Sequence, residues 1–362
     1  MINKIYYGIL YRYSQIMLFN SKNVIHYVIA FGLILGASSL INNVKQNFDT
    51  DDEDYKLIKD YLLNESPLYG SNRPKIWIHS KYEINARNWK DFSSRNTDNL
   101  NQPYLHLTIK SIINHCGNDF NVCLIDDESF NKLLPSWDVN VRYMAEPMKS
   151  QYRELGMARL LQVYGGIIVP NSFLCIKSLK PLYEKYNNTG KAFVCESLNH
   201  ACDLKNNTMN KDFMPNTYFM GASQNHNAIK EIVEYLQNSL SHSHITMNYD
   251  FVGIMQDKCQ NLIQNDNLEL VDGKVIGVKT AKNNQIIIDE LMEEAYLDLD
   301  NSALGIYIPR EEILMRNKFN WFASLPMEEV LNSKMIISKY ITTSLVDSMQ
   351  NVEKIHHNVV TI

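Results

Sequence analysis

Three groups of residues in this chain carry enough chemistry to organise a reading of it. Asp126 and Asp127 follow directly on the apolar run Phe120–Ile125. Two carboxylates at a strand end can hold the hydroxyls of a ribose. They can also simply cap a helix beginning at Glu128, because the positive end of a helix dipole favours an acid. Arg316, Lys318 and Trp321 stand together near the C-terminus. Two cations and an indole there can clamp a diphosphate and stack on a sugar; the plainer alternative is a Trp packed against helices beside two solvated cations. The third group is Tyr152–Cys175, which carries Arg153, Glu154 and Arg159 and, near its end, the polar pair Asn171–Ser172. The six cysteines (116, 123, 175, 195, 202 and 259) contain no CxxC and no close Cys/His cluster, so metal-ligand spacing is absent. In an oxidising compartment Cys195 and Cys202 are the local pair to expect. No nucleophile elbow is present.

The elements that must position these groups follow from periodicity. Leu155, Ala158 and Leu161 recur at helical spacing, and Gly165–Gly166 stops the helix, since glycine enters the left-handed region without a Cβ penalty. Ile167–Val169 then reads as a short buried strand ending at Pro170, which has no amide to donate. The loop after it is where open α/β folds usually place ligands. Lys75–Ser80 (KIWIHS) is a first strand with His79 at its end, either a solvated histidine or a ligand contact. Leu105–Cys116 predicts a helix, Phe120–Ile125 a second strand and VNVRYM, residues 139–144, a third. SLKPLYEKY is a helix in outline, Ala192–Cys195 and Thr217–Met220 are further strands, and His226–Leu240 is amphipathic with Ile229, Ile232, Val233 and Leu236 on one face. Asp272–Gly273 predicts a hairpin joining Leu268–Ile276 to Asn284–Ile288, and Pro309 with the acids behind it predicts a helix start. Alternating strands and helices point to an α/β domain with a mostly parallel sheet and helical crossovers.

The chain has 362 residues, 45% hydrophobic and 21% charged, with a net charge of −5. That is enough for one large or two modest domains, and it excludes the basic field of a nucleic-acid binder. Val24–Ile41 contains no formal charge and is bracketed by Lys22 and Lys45. At ~1.5 Å per residue it spans about 27 Å, near the lower limit for a membrane helix. Lys4, Arg12 and Lys22 precede it and DTDDED follows, so the bias places the N-terminus in the cytosol. The expected organisation is a cytosolic or interfacial segment at 1–23, a signal anchor at 24–41, a polar acidic stem at 42–74, a globular domain at 75–345 and a tail at 346–362. The arrangement is that of a single-pass type II protein in an endoplasmic reticulum, Golgi-like or virion membrane. Richness in Asn, Lys and Ile suits a large DNA virus or a protist.

Tyr152–Cys175 resembles the central signature of the DXD-containing GT-A sugar transferases, the class of the capsular-polysaccharide and fungal outer-chain mannosyltransferases. There a helix with an Asp and an Arg runs into Gly-Gly, a strand and then Asp-x-Asp. KIWIHS is similar to the family's opening strand, whose end borders the nucleotide. The resemblance implies a GT-A-like, Rossmann-type fold that takes a nucleotide sugar and a glycan or protein acceptor; the run Val24–Ile41 adds a lipid bilayer as partner, and the net charge argues against nucleic acid. The resemblance also implies catalytic roles for Glu154 and Asp127. Donor contacts fall on Trp77, His79, Asp126, Arg153, Arg159, Gly165, Gly166, Asn171, Ser172, Arg316 and Trp321. The family's usual Arg falls on Met157, and its two metal-binding acids fall on Pro170 and Ser172. Mn²⁺ or Mg²⁺ would be the expected ion, but hard cations want carboxylate oxygens and neither position supplies one, so no residue is assigned to metal. Arg153, Arg159 and Arg316 are the cations that can replace it at a leaving phosphate. The alternative is a transferase-like scaffold or virion membrane protein without activity.

Overall fold

The computed structural model describes residues 73–80, 102–198, 213–241, 248–319 and 321–346. The proposed anchor at Val24–Ile41, the segment before it, nearly all of the stem, Cys202 and the tail beyond 346 lie outside the described residues. Among the described residues no helix is long and apolar enough to cross a membrane.

In chain order the elements are β1 (Lys75–His79), α1 (Tyr104–Cys116), β2 (Asn121–Ile125), α2 (Ser129–Leu133), α3 (Met148–Tyr164) and β3 (Gly166–Ile168). β4 (Phe173–Cys175), α4 (Lys180–Thr189), β5 (Ala192–Leu198), β6 (Phe213–Ala222), α5 (Asn227–Ser241) and α6 (Asn248–Gln264) follow. The chain continues with β7 (Leu268–Val271), α7 (Ile288–Leu291), β8 (Gly305–Tyr307), α8 (Arg310–Met315), α9 (Met327–Asn332) and a helix at 336–346. Six strands form one sheet in the order β2-β1-β3-β6-β5-β7, and β4 pairs with β8 in a second. β1 is parallel to β2 and β3, β6 is antiparallel to both β3 and β5, and β7 is parallel to β5. Every strand of the large sheet but β6 therefore runs the same way. The domain is mixed α/β with a mostly parallel central sheet.

A sheet buried on both faces needs strands that are apolar without interruption. Ile76, Trp77 and Ile78 are all fully buried. Trp77, Cys123, Ile125, Ile168, Val194 and Met220 share one core with residues of α3, α5 and α6. Their alternates Ile76, Ile78, Val122, Leu124, Ile167 and Phe193 share the opposite core with residues of α1 and α4. The period-two side-chain direction of a strand divides the two layers.

The Gly pair has two separate jobs. Gly165, at φ 67°, caps α3, its amide donating to the Leu161 carbonyl at 2.8 Å. Gly166, at φ 109°, opens β3, and a Cβ there would lie 2.1 Å from the Lys75 carbonyl oxygen. The indole of Trp77 donates to the Gly165 carbonyl at 2.9 Å and ties the same corner to β1.

Two expected elements are replaced. VNVRYM is not a strand: Val141–Tyr143 forms a 3₁₀ turn. Val141 is buried in the core with Val139 packed beside it, while Tyr143 is 80% exposed, so the run is anchored at its start and has no strand to pair with. Nor does Asp272–Gly273 close a hairpin. β7 aligns parallel to β5, and the Gly273 amide donates to Glu196 Oε2 at 2.9 Å. The antiparallel reversal comes later, where Lys279 bridges to Gln285. Burial of Leu268 and Val271 against the sheet outweighs the local turn preference.

The close approach at Gly166 predicts a sharp contrast between two glycine variants. Gly166→Ala should destabilise the full-length chain by about 3 kcal/mol or more, through both clash and positive φ. Gly190→Ala should cost only about 1 kcal/mol, because Gly190 needs positive φ but has nothing within 4 Å of its Cβ direction. Equal losses in chemical denaturation would refute the packing role of Gly166.

Candidate functional site

β1 lies between β2 and β3, so the chain leaves β1 toward one side of the sheet and later lands on the other. Such a switch leaves a crevice beyond the C-terminal strand ends, where open α/β sheets bind ligands. A cavity of ≈ 180 Å³ opens there. His79 at the end of β1 and Asn171 and Ser172 beyond β3 line it, with Arg153 and Glu154 from α3. Thr217 from β6 and Arg310, just past β8, complete the polar lining. β6 reaches it because Met220 pairs with Ile168 and the antiparallel strand carries Thr217 past the end of β3.

Asp127 is the electrostatic hub, although it does not itself line the cavity. Its Oδ1 accepts from Arg153 Nε at 2.7 Å and its Oδ2 from Arg153 Nη2 at 2.8 Å, a fork geometry that matches guanidinium to carboxylate. His79 Nε2 lies 3.0 Å from Oδ1. Burial opposes the charge on Asp127, but the bonds from Arg153 and His79 win and hold its pKa far below the ordinary carboxylate range. A carboxylate can only accept, so His79 carries its proton on Nε2. Burial lowers the His79 pKa, and the Asp127 bond offsets only part of that, so the ring is neutral at neutral pH. The imidazole stacks on Phe130 with centroids 5.7 Å apart. Phe130 in turn lies flat on α3 because residue 156 is glycine; a Cβ there would meet the ring at 2.7 Å.

Glu154 points the other way. It is buried and accepts a hydrogen bond from the Thr217 hydroxyl. Burial pushes its pKa up to about 7, with the Thr217 bond working against the shift. A carboxyl at that value exchanges a proton readily near neutral pH. Beyond β3 the Asn171 carbonyl accepts from Thr108 Oγ1 at 2.5 Å, and its Oδ1 accepts from Arg310 Nη1 at 3.0 Å. The Ser172 carbonyl accepts from the Ile308 amide at 3.1 Å, while its buried hydroxyl has no partner.

These residues do not suit Mn²⁺ or Mg²⁺. Both oxygens of Asp127 are engaged by Arg153, Glu154 is bonded to Thr217, and Asn171 Oδ1 already serves Arg310. Among the described residues no three His, Cys, Asp or Glu side chains gather to hold a metal.

Of the residues singled out in the sequence, the fold brings His79, Arg153, Glu154, Asn171 and Ser172 to one cavity. Asp127 stands immediately behind His79 and Arg153. Asp126 instead caps α2, its Oδ1 accepting from the Ser129 amide at 3.0 Å. Trp77, Gly165 and Gly166 are internal supports and do not line the cavity. Arg159 donates to the Pro135 carbonyl at 2.7 Å and lies over Trp137, 5.5 Å from its ring centre. Arg316 pairs with Asp289 at 2.7 Å, and Trp321 is 48% exposed; neither lines the cavity. Thr217 and Arg310 carried no local signal, because the one sits within an apolar strand and the other in an acidic helix start.

No family model and no curated protein sequence matches this chain. Among solved structures it is similar to "PaToxG Glycosyltransferase", at 11% identity and a TM-score of 0.31, over 85% of this chain and 98% of that one. Likeness of that size leaves the assignment to the geometry of the site.

The two acids predict opposite pH behaviour. Asp127 has a depressed folded pKa, so its stabilisation is present above the unfolded value of about 3.9 and is lost as pH falls below it. Asp127→Asn should cost about 3 kcal/mol at pH 7 and remove much of the acid sensitivity. Glu154 has a raised folded pKa, so its contribution is full below about 4.3 and is lost as pH rises through about 7. Glu154→Gln should flatten the stability profile over that interval and stabilise the protein at pH 8 by up to ~3 kcal/mol. Denaturation midpoints across pH 3–9 provide the check; an unchanged slope above about pH 4.3 would contradict the Glu154 environment.

Proposed function

We propose that this protein is a nucleotide-sugar-dependent glycosyltransferase whose donor sits in the crevice beyond β1 and β3. The observation that carries the reading is the meeting at that crevice of two guanidinium groups with the buried Glu154 carboxyl, whose pKa burial raises. Cations fixed at a strand-end crevice suit a departing diphosphate, whose charge grows as the glycosidic bond breaks. In the transfer the acceptor hydroxyl oxygen bonds to the anomeric carbon and the bond from that carbon to the diphosphate oxygen breaks. The hydroxyl proton passes to Glu154. Asp127 acts through Arg153 and His79, holding the first in place and fixing the tautomer of the second.

A binding module without turnover is the second reading. It is favoured by Pro170 and Ser172 at the positions of the resembled family's metal acids, and by the closed ion pair of Asp127 with Arg153. A panel of UDP- and GDP-sugars titrated into the full-length protein, followed by an assay for sugar release or transfer, separates the two. A transferase should bind at least one donor and turn it over, and Glu154→Gln should slow turnover by about 10²-fold or more with donor affinity nearly unchanged. Binding with no turnover supports the second reading; no binding to any donor defeats both.

The body is proposed to reach its acceptor from a membrane, through the apolar run Val24–Ile41. Deleting residues 1–41 should release the protein from the membrane fraction on carbonate washing. Continued pelleting of the deletion variant would show that this run is not the anchor.

A further inference from the structure

We infer that the cavity binds a diphosphate directly, through Arg310, Arg153 and the Ser172 hydroxyl, with no divalent cation between protein and ligand. The inference deepens the donor reading and rests on it for the identity of the ligand, although the anion chemistry stands on its own geometry.

Ser172 is 0% exposed, lines the cavity, and its Oγ has no partner. A buried hydroxyl left unpaired is costly, and the great majority of such groups in folded proteins are satisfied. Its backbone is pinned by Ile308, so the side chain is held at the wall. A hydroxyl held in this way can donate its proton to an anionic oxygen. Two guanidinium groups line the same cavity, Arg153 and Arg310. Facing them are the ionised Asp127, Glu146 at 3.7 Å from Arg153 Nη1 and the buried Glu154, while His79 is neutral, so the wall offers an anion directed N–H and O–H donors rather than a surplus of charge. Arg310 is near enough to His79 for its charge to oppose protonation of the ring. Asn171, which the sequence offers as a weak metal ligand, spends its Oδ1 on Arg310 Nη1 at 3.0 Å. Its visible task is to aim that guanidinium.

A divalent ion bridges a diphosphate by taking carboxylate oxygens from the protein. Here the loop that would supply them reads Pro170-Asn171-Ser172, and the nearest carboxylate with a depressed pKa has both oxygens on Arg153. A planar guanidinium matches phosphate geometry and stays charged at any working pH. The contacts to phosphate oxygens that a metal would make are thus offered by the wall's own N–H and O–H groups.

The test is calorimetric titration of the full-length protein with inorganic pyrophosphate, UDP and GDP, once in EDTA and once with Mn²⁺. At least one nucleoside diphosphate should bind in EDTA with a Kd within about 3-fold of the value in Mn²⁺. Arg310→Gln should weaken it by about 10-fold or more, Arg310→Lys less, and Ser172→Ala by several-fold. Circular dichroism melts establish that each variant is folded, and Ser172→Ala carries the test if Arg310→Gln is not. Binding that appears only with Mn²⁺ overturns the inference and leaves the donor reading standing. Binding of pyrophosphate but of neither nucleotide, in EDTA, upholds the anion site and defeats the donor reading. Binding in EDTA that ignores Arg310→Gln and Ser172→Ala overturns the assignment of residues, and no binding under either condition defeats both.

Discussion

The approach of β3 to β1 at Gly166 is the constraint on which the rest of the site depends. β3 is only three residues long, and it is inserted beside β1 where any side chain at its first position would strike the Lys75 carbonyl. The approach sets the register, Ile167 against Ile76 and Ile168 against Trp77. Register then brings His79 and the Val169–Ser172 turn out of the sheet side by side, with the Val169 amide donating to the Trp77 carbonyl at 3.0 Å. Because Gly165 also ends α3, the same corner fixes where that helix begins its path back over the sheet. An indole buries 150–250 Å², several kcal/mol at the usual transfer coefficient. Trp77 invests that burial in the corner and adds a hydrogen bond to it.

On this frame the two aspartates after β2 divide their work. Asp126 satisfies the amide of Ser129 and starts α2, which delivers Phe130 beneath His79. Asp127 turns inward and organises charge. A partly buried ion pair of this kind gives little net stability, since desolvation consumes much of the Coulomb gain. Its effect is positional: removing either partner leaves the other unpaired, so the three side chains hold one arrangement. Glu154, one residue along from Arg153, faces β6 and meets no cation. Adjacent residues on one helix turn thus present a fixed positive charge and a titrating acid to the same space.

The inner strands were legible in the sequence because β1, β2 and β3 are short, mainly apolar runs, and α5 because Ile229, Ile232, Val233 and Leu236 keep helical periodicity; β6 carries Pro215, Asn216 and Thr217 inside it, and α3 buries Gln151 and Glu154 with its apolar residues. The failures share a cause. VNVRYM and the Asp272–Gly273 turn have local preferences for a strand and a hairpin, and in each case the long-range partner decides: none for the first, β5 for the second. The site divides along the same line. His79, Arg153, Glu154, Asn171 and Ser172 sit at the ends of elements near one another in the chain, so strand-end logic gathers them. Thr217 arrives on an antiparallel strand, and Arg310 comes from 139 positions beyond Asn171. Arg316 and Trp321, only a few residues past Arg310, do not line the cavity; Arg316 pairs with Asp289 and Trp321 packs on Phe322.

The distribution of unpaired polarity argues for a ligand. Among the described residues three buried side-chain atoms lack a partner: Trp137 Nε1, Ser172 Oγ and Gln256 Nε2. Ser172 lines the cavity, and Gln256 lines a smaller one behind it that shares Glu154 and Thr217. Each such group costs about 1–3 kcal/mol, and a buried carboxyl with a raised pKa adds a cost of the same order at neutral pH. A purely structural domain gains nothing from gathering these costs at one strand-end crevice, where apolar side chains of similar volume would pack without them. The same arrangement becomes favourable once a polar anionic molecule supplies the missing acceptor for Ser172. On the proposed reading an anionic ligand offsets these costs, whether or not chemistry follows there.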